Sequence, residues 1–394
     1  MRLAGVVRVR LTRPSAYLPR VTALTTAALN RALLARQGLL EPIDAPLVKA
    51  VEAIGALQAQ QWNALPVALA SRVEGFSPEQ LHDALERGDL LAGTLLRGTL
   101  HLVSAREHPG YAAVADSARA PFWRRTDAAP GKGIDALLKA LLAHAAKQPR
   151  SGEEIAAFLE EWIADHPDAL DAGEIEQQRK LNWRPFLRWS AFVRAPADGR
   201  WGAKSPSALR AAPDPRHAPA KAKELNDVVR RHLRAFGPAA ADDVASWIGW
   251  RAQQVRPALE RLKLERFKDE RGRTLYDLPD APRPDPQTPA PPRLLAAFDS
   301  VLLAYDSKRR TRILPDRYRD AVYERRNLRI RPSYIVDGRV AGTWSLEVKR
   351  REATVTLSPL KRLARAARSE LVEEAERVAR AVQPAAKAHR VSVS

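Results

Sequence analysis

The sequence predicts an α+β protein in which tandem winged-helix units precede a small β-domain. Three observations carry this prediction. A run of amphipathic helices ending in a glycine-turned hairpin occurs three times, with turns at Gly98, Gly199 and Gly272. Seven of the fourteen residues from 279 to 292 are proline, which marks a boundary. Beyond it, Phe298 to Glu352 is dense in strand formers and turns. The three turn glycines are unevenly spaced, so the units are tandem domains and not a solenoid.

Residues 1–21, with Arg2, Arg8, Arg10, Arg13 and Arg20 and no acid, form a basic arm expected to be disordered. The first unit, 22–120, opens with a helix over Ala27–Gln37 stopped at Gly38, followed by Leu47–Leu57. Pro66 fits only the first turn of the next helix, which therefore starts near Asn63. Ser77-Pro78-Glu79-Gln80 is a capping box with proline at the first helical position, and its helix closes at Gly88. A hairpin over Thr94–Val103 completes the unit.

The second unit, 133–210, repeats the pattern. Its elements are a helix over Ile134–Ala146, a capping box at Ser151-Gly152-Glu153-Glu154, a short helix around Trp183–Trp189, and a hairpin over Ala191–Trp201 turning at Asp198-Gly199. Ile155, Phe158, Leu159 and Trp162 share one face of the capped helix and read as core. The third unit, 221–278, has helices over Lys223–Phe236, Asp243–Ile248 and Arg251–Lys263, then a hairpin about Gly272. Residues 279–292 read as an extended polyproline-like linker. Residues 293–356 form the β-domain, with an Asp337-Gly338 hairpin turn. Residues 357–394 hold a final helix over Pro359–Val382 and a frayed tail.

Composition narrows the function. Cysteine is absent, which excludes disulfides, thiolate nucleophiles and Cys-ligated zinc. The eight histidines are scattered, and even His101 and His108 lack helical ligand spacing, so neither metal nor cofactor is expected. No apolar run reaches membrane-span length, and a cytoplasmic monomer is expected. With 65 basic against 46 acidic residues the net charge is +19, and residues 305–368 alone hold 18 basic and 7 acidic side chains. A polyanion is the expected partner, and the lack of a basic helix with a broad apolar face favours double-stranded DNA over lipid.

The stretch richest in chemistry is Leu57-Gln58-Ala59-Gln60-Gln61-Trp62-Asn63-Ala64-Leu65-Pro66, a joint between two helices. On an extended joint residues i and i+2 share a face, so Gln58 and Gln60 aim together. Two converging carboxamides supply donors and acceptors without charge and could hold a water or a sugar oxygen. Helix capping or backbone bridging is the competing reading of the same residues.

Gln58-Ala59-Gln60, then Arg97-Gly98-Thr99-Leu100-His101-Leu102, then the block from Phe298-Asp299 through Arg312-Ile313-Leu314 to Val340-Ala341-Gly342-Thr343-Trp344, occur in an order that resembles the winged-helix DNA glycosylases typified by AlkZ and YcaQ. The resemblance runs from about Thr22 to about Val372. It implies a concave DNA-binding surface made by tandem winged helices and a C-terminal β-barrel, and excision of alkylated bases or unhooking of interstrand crosslinks. The family signature of glutamine, a hydrophobic residue, then glutamine or aspartate falls on Gln58, Ala59 and Gln60 in its double-glutamine form, with Ala59 small for the middle position.

On this reading Gln60 holds the attacking water and Gln58 orients it or stabilises the oxocarbenium-like sugar. A cationic N7-alkylguanine leaves readily, so no strong general acid is needed. Neither glutamine is an amine, so a monofunctional enzyme without lyase activity is expected. Arg97, Thr99 and Arg312 are assigned to DNA, Arg97 and Arg312 as phosphate ligands. His101 is either a DNA contact of the first wing or a structural hairpin residue. Trp62 packs under the joint or meets the lesion, with packing favoured. The alternative is a non-catalytic winged-helix DNA-binding protein or transcription regulator, which leaves the glutamine pair without a task.

Overall fold

The computed structural model describes residues 23–119, 125–126, 133–215 and 220–394; the N-terminal basic arm lies outside them. The chain is mixed α/β, and its N-terminal part consists of three helix-then-hairpin segments. In the first, β1 (Ala23–Leu24) leads into α1 (Thr26–Arg36), α2 (Leu47–Ile54), β2 (Leu57–Gln58), α3 (Ala64–Ala70), α4 (Pro78–Glu86), β3 (Leu90–Thr94), β4 (Leu100–Ser104) and α5 (His108–Ser117). The capping box forms, with the Gln80 carboxamide accepting the Ser77 N–H at 3.0 Å.

The second segment comprises α6 (Gly133–Lys147), α7 (Gly152–Asp165), α8 (Ala172–Lys180), α9 (Arg184–Leu187), β5 (Phe192–Ala195) and β6 (Ala208–Ala211). A turn forms at Asp198-Gly199, with the Gly199 N–H donating to the Pro196 carbonyl at 3.4 Å, but it does not close the hairpin: Ala195 pairs with Ala208, and residues 196–207 form a long loop. The third segment comprises α10 (Ala222–Phe236), α11 (Ala241–Ile248), α12 (Ala252–Arg261), β7 (Glu265–Asp269) and β8 (Thr274–Asp277), and α12 runs through Pro257.

Three expectations for the C-terminal part are corrected. The sheet is open: β9 (Arg293–Leu295), β12 (Ser333–Val336), β13 (Arg339–Lys349), β14 (Glu352–Pro359) and β15 (Ala388–Val393) lie in the order β15-β14-β13-β12-β9. No pairing between β15 and β9 closes it into a barrel. The tail is not frayed, because β15 pairs in parallel with β14 from Glu352↔Ala388 to Leu357↔Val393. The remaining elements are α13 (Ser300–Leu303), the short helix α14 (Arg319–Val322), the ribbon β10 (Tyr323–Glu324) and β11 (Arg329–Ile330), and α15 (Arg365–Val382). The last helix starts at Arg365 and not at Pro359, whose segment is taken up by β14.

The expected spacer at 279–292 is also corrected, since charge pairing holds it down. Arg283 bonds the carboxylates of Asp277 at 2.7 Å and Glu265 at 2.6 Å, and its guanidinium lies 5.0 Å from the Phe267 ring centroid. Arg36 makes a buried, bidentate pair with Asp277 at 2.7 and 2.8 Å and reaches the Pro282 carbonyl, while Arg31 donates to the Thr288 carbonyl. The segment is proline-rich in sequence but docked in structure.

Packing ignores the sequence boundary as well. One core combines α1, α10 and α11 with Val301, Tyr305 and Ile335 of the C-terminal part. A second combines α2 and α3 with Trp344, Leu357 and α15. The buried Arg72–Asp299 pair at 2.7 Å and the Tyr305 hydroxyl donating to the Phe236 carbonyl at 2.7 Å stitch these parts together. The second segment keeps its own core around Leu138, Leu159, Phe186 and Trp189.

Candidate functional site

The glutamine joint is an edge strand. Leu57 pairs with Leu102 and Gln58 with His101, and the Ala59 N–H continues the ladder to the Leu100 carbonyl at 2.8 Å. Side chains therefore alternate: Leu57 and Ala59 are buried, Gln58 is half-buried and Gln60 exposed. Ala59 sits in the core shared by α2, α3 and α15, which accounts for an apolar residue between the glutamines. The two glutamines share the other side of the strand.

Each carboxamide has a partner that fixes its orientation. Gln58 Oε1 accepts from Arg97 Nη2 at 3.2 Å, and Gln60 Oε1 accepts the Leu100 N–H at 3.4 Å. A guanidinium and a backbone N–H can only donate, so both carbonyl oxygens turn toward the protein and both NH2 groups turn away. The pair presents donors, with a second lone pair left on each oxygen.

Arg97 thus has a different place from the phosphate ligand expected of it. It lies in the β3–β4 turn with φ +55°, stacked against Gly249, where a Cβ would stand 3.2 Å from the Arg97 Cα. Gly249 itself has φ +92°, so glycine is required there on both counts. Arg97 Nη1 donates to the Trp247 carbonyl at the end of α11 while Nη2 holds Gln58. Burial, with the nearby charge of Arg310, lowers its pKa to about 10, leaving it cationic at neutral pH.

His101 is buried, Nδ1 meeting the Thr99 carbonyl at 2.9 Å, so it does not reach out to DNA from a wing. A carbonyl only accepts, which places the proton on Nδ1 and leaves a bare Nε2 with no partner. Burial, then the charge of Arg97, pulls its pKa down to about 3. Thr99 is half-buried and returns its hydroxyl to the Leu96 carbonyl at 3.1 Å.

Arg312 lies flat on Tyr305, 4.1 Å from the ring centroid, with Nη2 buried and unpartnered. The charges of Arg97 and Arg312 both reach buried His232, whose pKa falls to about 4 chiefly through burial. Arg97, Arg310 and Arg312 therefore form one positive cluster beside Gln58, in which Arg310 bonds the Tyr305 carbonyl at 3.0 Å and the Tyr323 hydroxyl at 3.4 Å. Sequence reasoning singled out Arg312 from the motif Arg312-Ile313-Leu314 and missed Arg310, which no local motif marks.

Trp62 packs. It is buried, donates Nε1 to the Gly202 carbonyl at 3.0 Å, and stacks on Trp201 with centroids 5.7 Å apart. With Pro66, Leu81, Trp344 and Leu346 it walls a pocket of about 270 Å³ beside the joint. Among the described residues no group of three His, Cys, Asp or Glu could hold a metal, and no helix is long and apolar enough to cross a membrane.

Comparisons with known proteins identify the family. A curated relative, the interstrand DNA cross-link repair glycosylase of Streptomyces sahachiroi, is 25% identical over 345 residues, covering 81% of this chain and 87% of that protein. The solved structure of the Streptomyces sahachiroi DNA glycosylase AlkZ has the same fold, with a TM-score of 0.74 at 20% identity, over 95% of this chain and all of that one. The family model described as DNA glycosylase AlkZ-like matches residues 51–381, which include both glutamines. The chain belongs to the AlkZ-like DNA glycosylase family.

Proposed function

We infer that this protein is a monofunctional DNA glycosylase that hydrolyses the N-glycosidic bond of N7-alkylguanine-type lesions and unhooks interstrand crosslinks built on them. The observation that carries the reading is the Gln58–Gln60 pair, fixed with its amide donors outward on an edge strand and bordered by Arg97, Arg310 and Arg312. The helix-and-hairpin segments read as winged helices that hold the duplex against this strand. The cationic cluster favours the phosphates flanking the lesion. The glutamine amides hold the water oxygen or the sugar oxygen, and the remaining lone pair of Gln60 Oε1 accepts a hydrogen of the water.

This chemistry is positioning and electrostatics, with no group in the pair able to take up a proton as a carboxylate would. It suits a base that already carries positive charge and leaves as a neutral molecule. Neither glutamine is an amine, so the pair offers no Schiff-base nucleophile, and the abasic product should remain uncut. The test is release of free base from duplex DNA alkylated at guanine N7, with the strand run afterwards on a denaturing gel. Binding without release by the parent protein would establish the regulator reading instead.

A further inference from the structure

A second cationic site lies apart from the glutamines, in the second helical segment. The guanidinium-bearing residues Arg184, Arg188 and Arg194 line one pocket of about 500 Å³ with Lys180, Asn182 and Ser207, and among the described residues no acidic side chain lines it. Lys180 is paired with Glu176 at 2.9 Å, but among the described residues the side chains of the three arginines have neither an ion pair nor a hydrogen bond. Arg194 is half-buried, and Arg184 and Arg188 are exposed.

The cations also work against one another. Burial, with the charge of Arg184, lowers the pKa of Arg188; burial, with the charge of Arg188, lowers that of half-buried Arg194. Unrelieved repulsion among arginines in a concave site is the arrangement an anion would relieve, and the guanidinium fork matches a phosphate's oxygens. The first residue of α7, Gly152, lines the same pocket, adding the positive end of a long helix.

The pocket is joined to the glutamine site. Arg119 donates to the Arg188 carbonyl and its guanidinium approaches Gly98, the residue after the Arg97 that holds Gln58. Strand β5, which carries Arg194, is in the same sheet as β2, in the order β2-β4-β3-β5-β6. The register Gln58↔His101, Gly93↔His101 and Gly93↔Val193 puts Arg194, next to Val193, on the opposite face of that sheet from Gln58. We propose that Arg184, Arg188 and Arg194 form a pocket for one backbone phosphodiester of the bound DNA, apart from the base held at Gln58 and Gln60. This rests on the DNA-binding part of the function proposed above.

The test uses the full-length protein and undamaged duplex, so it does not depend on base release. Arg184→Gln, Arg188→Gln and Arg194→Gln are combined, and a control combines Arg87→Gln, Arg380→Gln and Arg390→Gln, which removes equal charge from arginines paired with Asp89, Glu376 and Glu352. The triple pocket variant should melt no lower than the parent, because it removes unpaired, mutually repelling charges. Its duplex affinity should fall about five-fold or more at low salt, and its log-log salt slope should become shallower by about 0.9, with the control changed less than about two-fold.

A walk of single neutral methylphosphonates along each strand should find a position that weakens the parent and leaves the pocket variant unaffected. If the pocket variant behaves as the control does, or no methylphosphonate position distinguishes it from the parent, the proposal is overturned. Binding of inorganic phosphate to the parent and not the variant, with DNA affinity equal in both, would overturn it in favour of a free-anion site. A parent that shows the methylphosphonate signature but releases no base would sink the glycosylase reading and leave this pocket standing.

Discussion

The Arg97 guanidinium holds the carbonyl oxygen of Gln58 with one nitrogen and the carbonyl of Trp247 with another, so a residue of the third segment fixes the aim of a residue of the first. The strained turn that carries Arg97, at φ +55°, is tolerable because the surrounding packing over-determines it. Such a clamp acts on chemistry more than on binding.

Arg97→Ala should therefore lower the single-turnover rate of base release by about ten- to a hundred-fold, the loss of a charged hydrogen bond of about 1.5–3 kcal/mol. Duplex affinity should change less than about three-fold. Arg97→Lys, which keeps the charge but not the fork, should recover only part of the rate. The reverse pattern, with affinity lost and the saturating rate kept, would restore Arg97 to the role of phosphate ligand.

The docked proline-rich segment makes a second expectation. Asp277 receives both Arg36 and Arg283 and is fully buried, so Asp277→Ala leaves the buried guanidinium of Arg36 without its carboxylate and should cost about 3–5 kcal/mol. Arg283→Ala should cost less, since that side chain is partly exposed, but should make 279–292 the first site of cleavage by a broad-specificity protease. In the parent that segment should be cut slowly. Rapid parental cleavage there would show that the clamp does not hold in solution.

Much of this was legible from residue patterns, and the rest was lost for identifiable reasons. The capping boxes at Ser77 and Ser151, the hairpin turn at Asp337-Gly338 with φ values of +51° and +71°, and the extended Gln58–Gln60 joint are local, set by the few residues that form them. Strand β15 was not legible, because its pairing with β14 is parallel and joins segments separated by a whole helix. The docking of 279–292 depends on Arg36, far away in the chain. Burial of His101 depends on what covers its strand, which alternation alone does not report.

Acid should destabilise the protein through its buried histidines. His101, His108 and His232 have pKa values lowered to about 3, 4 and 4, chiefly by burial. The unfolded chain takes up protons below pH 6.5 that the folded state refuses, so stability is full above that value. It is lost as pH falls, by about 1.4 kcal/mol per pH unit for each histidine. Asp116 opposes this: burial raises it to about 6, so the folded state gains a proton first and gains stability between about pH 6 and 4. Glu107 and Glu374, raised chiefly by burial, act in the same direction as Asp116, but the histidine shifts are larger, and Tm should fall from pH 7 to pH 5. Asp116→Asn should make the fall steeper; a flat Tm over that range in the parent would contradict the burial of the histidines.

The glutamines themselves separate enzyme from binder. Gln60→Ala should slow release of N7-alkylguanine by at least about a hundred-fold, the scale of losing one preorganised polar group at a reacting centre, while duplex affinity stays within about two-fold. Binding is spread over many cations, whereas Gln58 and Gln60 are the pair proposed to act at the scissile bond. Gln58→Ala should be impaired similarly or somewhat less, because Arg97 then has no side chain to aim. Gln60→Asp should keep measurable activity: its carboxylate can still accept the Leu100 N–H, and it can accept the proton of the attacking water. The rate of the parent should be flat from about pH 6 to 9, since no glutamine titrates, and the Gln60→Asp enzyme should acquire an acid limb as its carboxylate protonates. If both alanine variants release base at the parental rate, the glutamines are only strand-edge caps and the hydrolytic mechanism fails.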